Sequence, residues 1–372
     1  MANGHDQFHD PGGHSGHARF PLPNPLPEGE GANESLREFH VNHGMLQHGG
    51  QIRAAAARYG IAVEDWLDLS TGINPIPYTP PEIPLAAWAR LPEEQDGLWE
   101  AAARYYGTPD LLPVSGSQAA IQLLPRLRSR CRAGVLHPGY AEHAHAWRSA
   151  GHEAQELCAD EIAAQIHNLD VLVLMQPNNP TGEMFTHAQL HEWHTQLAAR
   201  GGWLVVDEAF IEASAQTSFA PPQMPAGLIV LRSLGKFFGL AGARVGFVLA
   251  HAELLARLRA ALGPWSVTGP SRYVAQTALL DGAWQETTRA RLLHDGSRLA
   301  QLLSDAGLPP AGGCGLFQWV MTEQADAIHQ QFAQRGILTR LFTQPRSVRF
   351  GLPGSAAEWN RLTVTLKQIH ST

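Results

Sequence analysis

Two uninterrupted apolar runs, Val171-Leu172-Val173-Leu174-Met175 and Trp203-Leu204-Val205-Val206, constrain the fold of this chain most. A strand wet on one face alternates apolar and polar residues; a strand that does not alternate is buried on both faces. Strands of that kind belong to a parallel sheet with helices packed on either side. The flanking segments agree. Leu111-Leu112-Pro113-Val114, Val135-Leu136, Leu228 to Leu231 and Val245 to Leu249 read as further strands. Helical patterns lie between them, over about 119–127 and after Thr186, which forms a capping box with Gln189 ahead of Leu190, Trp193 and Leu197. This alternation predicts an α/β chain with a mainly parallel sheet.

Ligands of open α/β sheets bind outside the carboxyl ends of the strands. Four polar features fall at such ends: Ser115-Gly116-Ser117, Asn179, Asp207, and Ser233 with Lys236. Lys236 stands in a glycine-studded turn among Leu234, Phe237 and Phe238. Burial penalises an ammonium, so the pKa falls and the free amine can form a Schiff base. The Ser233 hydroxyl and Arg244 suit a phosphate. So do the N–H groups of Gly116-Ser117-Gln118, which open a helix. Asp207 ends an apolar strand, where a carboxylate needs a cation such as a protonated ring nitrogen. Asn179 can donate to a phenolic oxygen, and Tyr140 can stack on a ring. Taken singly, each has a plainer reading: a loop lysine, an N-cap aspartate, the turn chemistry of Asn179-Pro180-Thr181-Gly182, core packing for Tyr140. Their coincidence at one sheet edge is what favours a site.

With 372 residues the chain has room for two domains. A net charge of -7 gives no basic footprint for nucleic acid. Cys131, Cys158 and Cys314 lack metal-ligand spacing and read as free thiols of a reducing cytoplasm, and no metal is expected. No apolar run is long enough to span a membrane, and no signal pattern opens the sequence. Residues 1–40 are rich in His, Gly and Pro and are expected to be disordered. Chelation by His5, His9, His14 and His17 is conceivable, with an inert tail the plainer reading. Residues 41–80 read as an arm and part of a small domain, with a short helix over 51–59 and order beginning near His43. Residues 81–254 read as the large domain, with a helix over about 97–106 that sets Trp99, Ala103 and Tyr106 on one face. Residues 255–372 read as a smaller α+β domain. In it, helix runs from about 271 to 306, Leu316 to Met321 alternates, Ile337 to Leu341 is extended, and Ser355 with Glu358 caps a final helix.

The motifs Asn179-Pro180-Thr181-Gly182, Asp207-Glu208-Ala209-Phe210 and Ser233-Leu234-Gly235-Lys236, with Arg244 eight residues beyond Lys236, resemble the signature of fold-type I pyridoxal-phosphate enzymes of the class I/II aminotransferase group. The resemblance implies a large domain with a mainly parallel seven-stranded sheet and a smaller α+β domain. It implies pyridoxal 5'-phosphate as cofactor, with Lys236 as its Schiff-base lysine and Asp207 at the pyridine nitrogen. Asn179 would then touch the ring hydroxyl and Tyr140 stack on the ring, while Gly116, Ser117, Gln118, Ser233 and Arg244 serve the cofactor and its phosphate. A homodimer is implied too.

Within that group, His48-Gly49-Gly50-Gln51, Asp68-Leu69-Ser70-Thr71-Gly72-Ile73-Asn74-Pro75, Pro264-Trp265-Ser266-Val267 and Arg349-Phe350-Gly351-Leu352-Pro353-Gly354 resemble the threonine-phosphate decarboxylase family of cobalamin biosynthesis. By that likeness Arg349 grips the substrate carboxylate, Arg340 and His48 stand near the substrate phosphate, and Asn74 and Asn179 belong to the substrate pocket. The substrate would be a phosphorylated amino acid. Three departures stand out. Phe210 replaces a tyrosine common in aminotransferases, Gly72 stands where better-known decarboxylases carry asparagine, and Leu91 stands where they carry a tyrosine lent to the neighbouring subunit. A histidinol-phosphate-type aminotransferase and a non-catalytic subunit of the same fold are the alternatives.

Overall fold

The computed structural model describes residues 48–370. The predicted tail with His5, His9, His14 and His17, and the expected start of order at His43, lie outside the described residues. The first strands are β1 (Leu67–Asp68), β2 (Leu111–Val114), β3 (Arg132–Leu136), β4 (Glu153–Leu157), β5 (Val171–Met175), β6 (Trp203–Asp207), β7 (Leu228–Ser233) and β8 (Gly246–Ala250). Seven of them form one sheet in the order β2-β8-β7-β6-β5-β3-β4. From β7 to β4 every neighbouring pair is parallel, whereas β8 runs antiparallel to both β2 and β7. Flanked in that way, β8 leaves β2 running in the direction of β7. The carboxyl ends of β2, β5, β6 and β7 therefore share one edge.

The apolar runs behave as strands buried on both faces. Val171 and Val173 pack with Ile121, Trp147 and Leu258, from helices Ser117–Leu123, Ala141–Ser149 and Ala252–Leu262. Leu172 and Leu174 belong to the other core cluster, which also holds Leu190, Trp193, Val274 and Leu292, from helices His187–Ala198, Gly269–Leu280 and Gly282–Asp305. Each such side chain contributes about 1.5–3 kcal/mol on burial, so the two helical layers clamp the sheet.

The remaining strands are β9 (Gly312–Cys314), β10 (Phe317–Met321), β11 (Ile337–Leu338), β12 (Arg340–Thr343) and β13 (Arg346–Gly351). β12-β13-β10-β9 make a second, antiparallel sheet, and β1 pairs with β11. The extended stretch from Ile337 to Leu341 thus divides between two sheets. The loop after β5 presses backbone to backbone on β9. A Cβ at Gly182 would lie 2.3 Å from the Gly313 oxygen, and one at Gly312 would lie 2.0 Å from the Thr181 oxygen. Only glycine permits that approach.

Other expectations shift. The helix predicted over 271–306 is two helices broken at Asp281, whose carboxylate caps the second by accepting from Trp284 N at 3.0 Å. Helix Leu98–Tyr106 buries Leu98, Ala101, Ala102 and Tyr106, while Trp99 is exposed. Both predicted capping boxes form, at Thr186 with Gln189 and at Ser355 with Glu358.

Candidate active site

A cavity of about 650 Å³ opens at the shared strand edge, and Lys236, Asp207, Asn179, Tyr140, Ser117, His48, Arg340 and Arg349 all line it. Lys236 follows β7 in a turn held by fully buried Leu234, Phe237 and Phe238. Burial brings its amine down to about 8; the Arg349 and Arg244 charges push the same way and Asp207 opposes them. About a tenth of the amine is therefore neutral at pH 7 and about half at pH 8, far more than for an exposed lysine.

Asp207 closes β6 and is buried. Its Oδ1 accepts from Ala209 N at 3.1 Å, and its Oδ2 accepts from His143 Nε2 at 2.9 Å. Sequence reasoning missed His143. The spacing of His143 with Ala146 and Trp147, all buried on helix Ala141–Ser149, was the available signal.

Arg349 lies in β13 and reaches across to the large sheet. Its Nη1 donates to Asn179 Oδ1 and its Nη2 donates to the Ser70 carbonyl at 2.7 Å. Its Nε is buried without a partner. Burial, then the charge of Arg340, lowers its pKa to about 10. Such a guanidinium has one committed edge and one edge left for an anion.

A polar chain links two further lining residues, Tyr140 and His48. Tyr140 donates to Gln118 Oε1 at 3.2 Å, Gln118 donates to Glu142 Oε2 at 2.8 Å, and Glu142 Oε1 meets His48 Nε2 at 2.8 Å. Burial, then Glu142 and Asp207, raise the Tyr140 phenol to about 12. Glu142 and Ser70, like His143, were not among the expected site residues.

Gly116, Gln118, Ser233 and Arg244 do not line the cavity themselves. Gly116 has φ +76°, and a Cβ there would lie 2.6 Å from Arg244 Nη2. Arg244 is itself left-handed at φ 53° and donates to the Ala241 carbonyl at 3.1 Å. The Ser233 hydroxyl accepts from Gly235 N at 3.2 Å. Asn74 does not line the cavity either. It is buried outside the cavity, its amide donating to the Phe237 carbonyl at 2.8 Å and its oxygen accepting from Ile76 N and Arg291 Nη2. The bond to Phe237 ties it to the lysine turn. Arg340 and His48 also border a neighbouring cleft of about 470 Å³. Leu91 is exposed.

The sequence model of "Aminotransferase class I and II" matches residues 92–369. A threonine-phosphate decarboxylase of Pseudomonas aeruginosa is 55% identical over 87% of this chain and 97% of its own. One from a Sinorhizobium species is 43% identical over 87% and 98%. A histidinol-phosphate aminotransferase of Pectobacterium atrosepticum is 32% identical over 60% and 66%. Among solved structures, histidinol-phosphate aminotransferase of Sinorhizobium meliloti in complex with pyridoxal-5'-phosphate superposes with a TM-score of 0.74 at 21% identity, covering 88% of this chain and 96% of that one. L-threonine-O-3-phosphate decarboxylase of Porphyromonas gingivalis gives 0.70 at 18%, covering 82% and 99%. Family match, fold and the grouping of lysine, carboxylate and arginines at one sheet edge agree, and the chain belongs to the aminotransferase class I and II family.

Proposed function

We propose that this cavity holds pyridoxal 5'-phosphate and decarboxylates L-threonine O-3-phosphate to (R)-1-amino-2-propanol O-2-phosphate and CO2, for the linker of the cobalamin nucleotide loop. The carrying observation is the 55% identity, over 87% of the chain, to a relative of that name. The residues present fit the cofactor. The side-chain-free position at Gly116 leaves the Arg244 guanidinium beside a helix start, a seat for a phosphate. Asp207 is a buried carboxylate to hold a pyridinium, Asn179 and Tyr140 flank the ring's place, and Lys236 has an available amine to bind the aldehyde.

Once bound, the cofactor supplies an electron sink for the pair left behind when CO2 departs. The chain does the rest. Arg349 takes the substrate carboxylate on its Nε edge, and its Nη bonds to Asn179 and Ser70 fix the plane of the guanidinium. Arg340 and His48 meet the substrate phosphate. His143 keeps Asp207 oriented, and the Lys236 ammonium returns a proton to Cα.

The assembly is a homodimer in the cytoplasm. Leu85, Trp88 and Leu91, on or just after helix Leu85–Ala89, are exposed together and suit a second copy. Incubation with threonine phosphate and cofactor, followed by mass identification of the product, tests the chemistry. Release of CO2 without a keto-acid acceptor is expected, whereas pyridoxamine phosphate accumulating with an amino donor would favour an aminotransferase.

A further inference from the structure

The wall beside Lys236 is built from two phenylalanines and a missing side chain. Phe210 and Phe317 are buried and meet edge to face, centroids 5.2 Å apart at 80°. Lys236 Nζ lies 5.5 Å from the Phe210 centroid, and Arg349 Cζ lies 5.0 Å from the Phe317 centroid. Phe210 therefore packs over the Lys236 amine and Phe317 over the Arg349 guanidinium. Gly72 lines the cavity at the same place. A Cβ there would come to 2.9 and 3.1 Å from two atoms of the Phe210 ring and to 3.1 Å from Phe317. Neither ring gives way cheaply, because each is buried and braced against the other.

We propose that Gly72 and Phe317 are positioning residues: Gly72 leaves the space in which Phe210 lies against Lys236, and Phe317 braces that ring while itself facing Arg349. The two departures at 72 and 210 are then one feature. The Cε1–Cζ edge of the Phe210 ring faces Gly72, so a side chain at 72 would displace the ring. The apolar ring keeps water from the amine, and Phe317 gives the repelling Arg349 charge its own partner. The proposal refines the site assigned above, yet its test needs neither substrate nor turnover.

The test is the pH profile of Lys236 reductive methylation in cofactor-free protein, read on the lysine peptide by mass spectrometry. The wild-type midpoint is expected near 8. Phe210→Ala admits water beside Nζ, and its midpoint is expected to rise by about one pH unit. Gly72→Ala displaces the ring and shifts the midpoint the same way. In Gly72→Ala/Phe210→Ala no ring remains to displace, so the double variant should match Phe210→Ala alone. A single-variant midpoint unchanged from wild type in a folded protein overturns the proposal, as do additive shifts in the double variant. If Gly72→Ala fails to fold, Phe210→Ala and Phe317→Leu decide: both must raise the midpoint.

Discussion

Lys236 couples chemistry to stability. Its amine is depressed from 10.5 to about 8 by burial first and by Arg349 second. Between those values the unfolded chain binds more protons than the folded one, so in cofactor-free protein this group makes stability rise with pH. Below about pH 8 the penalty of the buried ammonium is fully present. Lys236→Met is therefore expected to raise the melting temperature at pH 7, with the gap to wild type closing toward pH 10.5; parallel thermal scans across that range check it. Arg349→Lys keeps a charge but loses the planar fork that spans Asn179 and Ser70. A loss of about 1–3 kcal/mol, roughly 5- to 150-fold in kcat/KM for the phosphorylated amino acid, is expected from steady-state kinetics. Residues whose chemistry is local, such as Lys236 and Asp207, were legible in the sequence. His143 and Ser70 were not, since one reaches the site from a helix and the other through a carbonyl oxygen.

At the scale of elements, β7 and the turn after β6 are tied by a buried charge triad. Arg232 donates to Glu208 at 3.1 Å and to Glu212 at 2.5 Å and lies over the Tyr106 ring. Removing the cation strands two carboxylates in the core. Arg232→Met should cost about 3–5 kcal/mol by denaturant unfolding. Thr186→Ala, which breaks the capping box of helix His187–Ala198, should cost only about 1 kcal/mol. The strands that sequence pattern revealed are the doubly buried ones. β4, Glu153-Ala154-Gln155-Glu156-Leu157, sits at the sheet edge with three exposed polar residues and carries no apolar run. β9, Gly312-Gly313-Cys314, has almost no side chains to make a pattern. Both are strands by pairing alone, which only the folded chain supplies.

Across the whole molecule, the mainly parallel sheet and its common edge followed from alternation, whereas the antiparallel β8 did not, because strand direction leaves no mark on hydrophobic pattern. The apolar surface of Leu85, Trp88 and Leu91 belongs to this scale too. If the proposed homodimer forms through this surface, Trp88→Glu with Leu91→Glu converts it into monomers in sedimentation velocity, leaving the fold intact by circular dichroism.

Arg349 answers to two sheets at once, and to a strand edge pinned by glycine against glycine. Its orientation is settled during folding, well before a ligand arrives. In the role proposed for Arg349, an incoming carboxylate would meet a docked fork and forfeit little freedom on the protein's side. By the same token, Gly182→Ala, some way from any reacting atom, would unseat β9 and register as weaker substrate capture.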